Sequence, residues 1–259
     1  MNDSVKCEVV EGTARVILNR PKLYNAFDLD MIHSFSQRLI ELALDKLVSC
    51  VIITGQGKAF CAGADLRWVL GFGKSHGETF HELAAHYHQA ILEIRRMPKP
   101  VIAAINGVSA GGGFSMTLAC DFRIMERSAL LRQAYTANGL SIDGGGTYSL
   151  PRLVGLARAM EIAAFDRRIS SEKALSWGLV TEVVADGQSL KRAIELSKEI
   201  RAIPLRSFAA SKKLMSDSFD TPFEAQLEKE RDFLSACGDD PNGREGIAAF
   251  VEKRRPNYI

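Results

Sequence analysis

The sequence predicts an α/β fold with an all-helical tail. The first half alternates short apolar strand-like runs with amphipathic stretches. After residue 155 nearly every segment carries helical periodicity. With 259 residues, 46% of them hydrophobic and 25% charged, the chain is long enough to bury a large core without covalent staples. We expect the α/β part to occupy residues 1–200 and the helical module 201–259.

The elements follow in order. KCEVVEGTARVILNR (6–20) alternates about Glu11-Gly12 and predicts a hairpin. Asp28 is placed to cap a helix running to about Asp45, with Met31, Phe35, Leu39 and Leu42 on one face. SCVIITG (49–55) and PVIAAING (100–107) are apolar throughout, as strands buried on both faces are. Between them TFHELAAHYHQAILEIRRM (79–97) predicts a helix that stops before Pro98 and Pro100, and the preceding loop 67–80 is expected to line a pocket. GGGFSMTLACD should enter a buried helix and DFRIME (121–126) a strand. ARAMEIAAF, SEKALSWG and SLKRAIELSKEIRAI follow as helices, and three more are expected over 204–219, 222–237 and 242–253.

Several function classes fall away on composition. A formal net charge of +2 gives no electrostatic footprint for nucleic acid. KKLM (212–215) and EKRR (252–255) read as solvated helix faces. Cys7, Cys50, Cys61, Cys120 and Cys237 form no CxxC pair, so reduced thiols are expected. No apolar run approaches membrane-spanning length and MNDSVKCEVVEG has no signal-like core, which predicts a cytoplasmic protein without a membrane partner. His81, His86 and His88 lack the i, i+4 spacing of a helical zinc pair; no metal is expected, and polar-face positions suit them. Ser115 has no sequence-near His that would make it a nucleophile.

Three stretches carry chemistry. GQGKAFCAGADL (55–66) places small residues after a buried strand. Phe60 stands where a dinucleotide fingerprint needs its third glycine, and Lys58 is followed by Ala59, so it is not a P-loop. NGVSAGGGFSMTLACD (106–121) repeats the design. Each stretch alone is either a tight turn or a loop baring N–H groups; together they suggest an oxyanion hole. In NGLSIDGGGTYSLPRLVG (138–155), Asp143 is either the cap of a helix beginning near Thr147 or a working base.

LNRPKLYNAF, GKAFCAGADL, PKPVIAAINGVSAGGG, GGGTYSLPRLVG and REGIAAFVEKRRPNY resemble, in order and spacing, the motifs of the crotonase (enoyl-CoA hydratase/isomerase) superfamily. The resemblance covers essentially the whole chain. It implies a spiral of ββα units with a C-terminal trimerisation module, a homotrimer or dimer of trimers, and an acyl-CoA thioester substrate. Coenzyme A belongs to that substrate, so no separate cofactor is expected.

By the same resemblance the backbone N–H groups of Ala64 and Gly112 form the oxyanion hole. Coenzyme A contacts fall at Lys22, Leu23, Tyr24, Ala62, Ala64 and Leu66. Phe250 and Lys253 resemble positions that reach a neighbouring subunit's coenzyme A, though Lys253 also fits a solvated face. The two glutamates of the family's hydratases match Ser115 and Tyr135, and neither is a carboxylate. Tyr135 is expected mainly as an apolar pocket wall with a possible substrate contact. Asp143 matches the aspartate of some family isomerases, nearest in local pattern to phenylacetate-pathway acyl-CoA isomerases; ARAM (157–160), WGLV (177–180) and KERDF (229–233) are also similar. The resulting expectation is a double-bond isomerase with Asp143 as proton shuttle. Its alternatives are a hydratase or hydrolase in which Asp143 activates water, and a non-catalytic acyl-CoA-binding homologue.

Overall fold

The computed structural model describes residues 3–258. Strands β1 (Val5–Val10) and β2 (Thr13–Leu18) pair antiparallel about the Glu11-Gly12 turn, both residues of which have positive φ (47° and 73°). That is the backbone twist a two-residue hairpin requires. Helix α1 (Leu29–Leu44) begins at the expected cap: the Asp28 carboxylate accepts the Met31 N–H at 2.9 Å.

Each later turn of the chain gives one strand to each of two sheets. β3 (Cys50–Gly55), β5 (Val101–Ile105), β7 (Phe122–Glu126) and β10 (Glu182–Val184) extend the hairpin into a six-stranded sheet of order β1-β2-β3-β5-β7-β10, parallel beyond β2. β4 (Ala59–Cys61), β6 (Val108–Ala110), β8 (Leu130–Arg132) and β9 (Ile169–Ser170) form the second sheet in the order β4-β6-β8-β9. The pairs β3/β4, β5/β6 and β7/β8, each followed by helix, are the ββα spiral. These short second-sheet strands and β10 are elements the sequence reading lacked.

Alternate residues of β3 face two separate cores. Val51 and Ile53 join the main core, while Cys50 and Ile52 pack with Ala193 and Ile200 of α8 (Ser189–Arg201). This explains why the strand is apolar at every position. Helix α2 (Leu66–Gly71) and the early start of α3 (His76–Arg96) occupy what was expected to be loop 67–80. The reason is local: Ser75 and Glu78 form a reciprocal capping box at the α3 N-terminus. α4 (Gly112–Ala119), α5 (Gly146–Val154), α6 (Leu156–Phe165) and α7 (Ser171–Ser176) complete the spiral.

The tail comprises α9 (Leu205–Asp217), α10 (Phe223–Gly238) and α11 (Pro241–Val251). Lys212 corrects the expectation of a solvated face at 212–215. Its ammonium is buried against the core, donating to Ile94 O (3.0 Å), Lys99 O (3.2 Å) and the Asp121 carboxylate (2.7 Å). Arg254, by contrast, is on the surface and pairs with Glu245 and Glu252. Among the described residues no helix is long and apolar enough to cross a membrane.

Candidate active site

The first wall of the site is tied down through Asn25, a buried residue at φ 56°. Its side-chain amide donates to the carbonyls of Gln56 (3.1 Å), Ala59 (2.8 Å) and Phe60 (3.2 Å), and its oxygen accepts the Arg20 N–H at 2.9 Å. This seats the Lys22-Leu23-Tyr24 turn beside β4, where the Ala62 N–H donates to Tyr24 O at 3.0 Å.

Phe27 then pairs with the chain on either side of Ala64: its N–H donates to Gly63 O, and its carbonyl accepts from Asp65 N–H, both at 2.9 Å. Successive N–H groups of extended backbone point in opposite directions, so the Ala64 N–H faces away from Phe27. Asp65 caps α2, accepting from Arg67 N–H (3.1 Å) and Trp68 N–H (3.3 Å). Its second oxygen pairs with Arg20 at 3.1 Å, and Arg20 also pairs with Asp28 at 3.0 Å.

The second wall is the β6–α4 turn. Gly111 has φ 53° and ψ −127°, a conformation that suits glycine, and Gly112 opens a helix whose residues are all buried. The Gly112 N–H is one of the helix N-terminal donors with no partner inside the helix. The two walls touch. A Cβ placed on Gly63 would lie 3.0 Å from both Gly112 N and Ala110 O, and one on Gly113 would overlap the Cys61 carbonyl oxygen. Glycine is thus required here for backbone-to-backbone approach.

The third wall carries the acid. The Asp143 carboxylate does not cap α5, correcting one of the two readings of that segment. The cap position is Gly145 without a side-chain bond, and only the backbone carbonyl of Asp143 serves the helix start, accepting Gly146 N–H at 3.0 Å. Positive φ at Gly144 (59°) and Gly145 (74°) turns the chain so that the carboxylate is free of the helix.

The hydroxyl of Tyr135 donates to Asp143 Oδ1. Burial, and next the neighbouring Asp143 charge, push the Tyr135 hydroxyl well above the ordinary tyrosine range, so it remains a donor. Tyr135 is therefore more than the expected apolar wall. Asp143 Oδ2 lies 3.6 Å from Nε2 of His88, and that nitrogen accepts the Gly144 N–H at 3.3 Å. Ser115 Oγ, at 1% residue exposure, lies in the same region, 2.8 Å from where a Gly146 Cβ would stand.

The three walls enclose a cavity of about 460 Å³. Ala62, Ala64, Leu66, Gly112, Tyr135 and Asp143 all line it, together with Phe27, Phe80, His81, Leu83, Ala84, Tyr87 and Leu140. His81 is exposed, as a polar-face position requires, and also borders the cavity, while half-buried His86 packs edge-on against His33 with centroids 4.0 Å apart. Phe72 lies outside the lining and packs on Trp68. Lys22, Leu23 and Tyr24 do not line the cavity; Tyr24 is joined to its wall through the Ala62 N–H bond to its carbonyl. Phe250 and Lys253, at the end of the tail, are exposed and do not line the cavity of their own chain.

Sequence reasoning missed Phe27, Tyr87 and His88. A signal for Tyr87 existed: it falls on the buried stripe Leu83-Tyr87-Ala90-Ile91-Ile94 of α3, where a hydroxyl must find a partner. His88 carries no such signal, because its neighbour Asp143 is 55 positions away.

The chain matches the enoyl-CoA hydratase/isomerase family over residues 8–259. It is 33% identical to 1,2-epoxyphenylacetyl-CoA isomerase of Escherichia coli (strain K12), covering 100% of this chain and 99% of that protein. It is 31% identical to crotonyl-CoA hydratase of Syntrophomonas wolfei, covering 99% and 98%. Among solved structures, an enoyl-CoA hydratase from Polaromonas sp. JS666 superposes with a TM-score of 0.93 at 34% identity, covering 98% of this chain and 99% of that one. With the family match spanning nearly the whole chain and the spiral fold in agreement, the chain belongs to the enoyl-CoA hydratase/isomerase family.

Proposed function

We propose that the protein is an acyl-CoA double-bond isomerase in which Asp143 is the base. The observation that carries this reading is the placement of the acid: among the described residues Asp143 alone supplies a carboxylate to the lining of the cavity that Ala64 and Gly112 also line. Ser115 and Tyr135, at the positions of the hydratase glutamates, bring only hydroxyls.

In this mechanism the thioester oxygen sits between the Ala64 and Gly112 N–H groups. Asp143 removes the α proton of a 3-enoyl thioester (or, in the reverse direction, the γ proton of a 2-enoyl thioester), and the C–H electrons flow into a dienolate held by those two donors. The Asp143 carboxylic acid then returns the proton to the other end of the conjugated system, so no proton is gained or lost. Because Oδ1 is engaged by Tyr135, Oδ2 is the atom left for the substrate. Lys22, Leu23, Tyr24, Ala62 and Leu66 would border the coenzyme A moiety. Phe250 and Lys253 would serve a neighbouring subunit's site if the tail trimerises. The likeness to an isomerase that acts on a ring-derived acyl-CoA supports a bulky acyl group, for which Phe80, Leu83 and Leu140 are suitable walls.

A hydratase or hydrolase reading, with Asp143 activating water, is favoured by one observation: His88, half exposed beside Asp143 Oδ2, opens that carboxylate toward solvent. Asp143→Asn separates these readings from a passive binding role. We expect an unchanged fold and retained acyl-CoA binding, with turnover of a 3-enoyl-CoA reduced by about 10²–10⁴. Mass spectrometry of the wild-type product distinguishes isomerisation, at constant mass, from addition of water. Undiminished turnover by the Asn variant would remove Asp143 from the mechanism.

A further inference from the structure

Behind the loops that present Ala64 and Gly112 stands a pair of stacked rings. Phe27 and Tyr87 lie with centroids 4.9 Å apart and planes at 26°, and are 2% and 1% exposed. Phe27 brackets Ala64 through its backbone bonds to Gly63 and Asp65. Tyr87 reaches the other donor: its hydroxyl donates to the carbonyl oxygen of Gly112. One ring pair is thus tied to the backbone around both donors, beside Ala64 through main chain and to the Gly112 carbonyl through the phenol.

The fit around the pair leaves little slack. A Cβ on Gly112 would stand 2.6 Å from Phe27 Cζ, and one on Gly144 would stand 2.8 Å from the Tyr87 hydroxyl oxygen. Tyr87 therefore abuts the residue after Asp143 as well as the second oxyanion loop.

Such a support has a clear task. Three consecutive glycines, Gly111 to Gly113, carry the Gly112 N–H, and glycine resists backbone rotation least of all residues. A donor contributes to rate only when it is already aimed where the oxyanion develops. A hydrogen bond to the Gly112 carbonyl restrains that residue in addition to its own helix.

We propose that Tyr87, stacked on Phe27, is a positioning residue that fixes the aim of the Gly112 donor relative to Ala64 and holds the Asp143 turn against them. It acts through Gly112 and Gly144 and not on the reacting atoms. The proposal rests on the reading of Ala64 and Gly112 as thioester donors.

The test compares wild type with Tyr87→Phe and with Phe27→Leu, which removes the stack but keeps the hydroxyl. The probe is benzoyl-CoA carrying ¹³C at the carbonyl, a thioester with neither an α proton nor an alkene, read by infrared difference spectroscopy. The wild type should lower the carbonyl stretch of the bound thioester. Tyr87→Phe should lose most of that lowering, with kcat on a 3-enoyl-CoA down roughly 10–100-fold and KM nearly unchanged, as expected for impaired oxyanion stabilisation. Phe27→Leu should move both readouts the same way, by less. A lower Tm in both variants, with the wild-type carbonyl shift and kcat intact, would reduce the pair to core packing and overturn the proposal. Absence of any carbonyl lowering in the wild type would instead overturn the oxyanion reading itself, and the positioning role with it.

Discussion

The two sides of the cavity are held by different means. On the oxyanion side, β4 and α4 are buried along their whole length, and backbone meets backbone at Gly63, Gly112 and Gly113. On the acid side, Asp143 is about one-third exposed, sits before two left-handed glycines, and is held by a single phenol hydroxyl with a half-exposed histidine nearby. The first side is rigid because nothing larger than hydrogen fits. The second is held by side-chain contacts, from a buried tyrosine and a half-exposed histidine. In the proposed mechanism, a donor that must meet a developing charge gains from fixed geometry, whereas a base that carries a proton between two carbons must reach both.

The largest expected effect comes from breaking the rigid side. Gly113→Ala forces a methyl into the Cys61 carbonyl. Overpacking of this kind should cost about 1–3 kcal/mol, or roughly 5–10 °C in Tm. Displacement of the adjacent Gly112 donor should lower kcat/KM by about 10² or more. Differential scanning calorimetry and steady-state kinetics on one preparation check both.

Tyr135→Phe sharpens the contrast from the acid side. It removes the hydroxyl held to Asp143 while leaving the ring, so kcat should fall about 10–100-fold, as for loss of a hydrogen bond to a charged group. Binding of acyl-CoA and Tm should change little. A Tm loss as large as that of Gly113→Ala would show the acid side to be structural after all.

A separate expectation is a pH dependence of stability. Burial pushes the thiols of Cys50, Cys61 and Cys120 up to about 12 from their ordinary range near 9. A folded-state value raised in this way favours the folded state fully below pH 9. The advantage is lost as pH rises toward 12, with a slope of at most about 1.4 kcal/mol per pH unit for each thiol. Urea unfolding at pH 7, 8 and 10.5 should show stability nearly flat over the first interval and falling over the second.

Much of this architecture was legible in the letters, and the reasons are specific. The Glu11-Gly12 hairpin, the Asp28 cap and the apolar run of β3 each express a local rule strong enough to stand alone. The second sheet was invisible because its strands are two or three residues long, too short for any period to show. Asp143 showed the limit differently. An acid before glycines satisfies the sequence rule for a helix cap, yet left-handed Gly144 and Gly145 turn its carboxylate away. Lys212 looked solvated because its partner, Asp121, is remote in sequence.

That last contact has a consequence for how the molecule comes apart. Peeling α9 from the core would strand the Asp121 carboxylate, together with the carbonyls of Ile94 and Lys99, without their cation. Breaking a buried pair by withdrawing one partner typically costs about 3–5 kcal/mol. Helix α9 is therefore poorly placed to fray on its own. It shares a cooperative unit with the C-terminal end of α3, two turns from Tyr87, so a protease seeking an entry at residue 205 must wait for the core to open too.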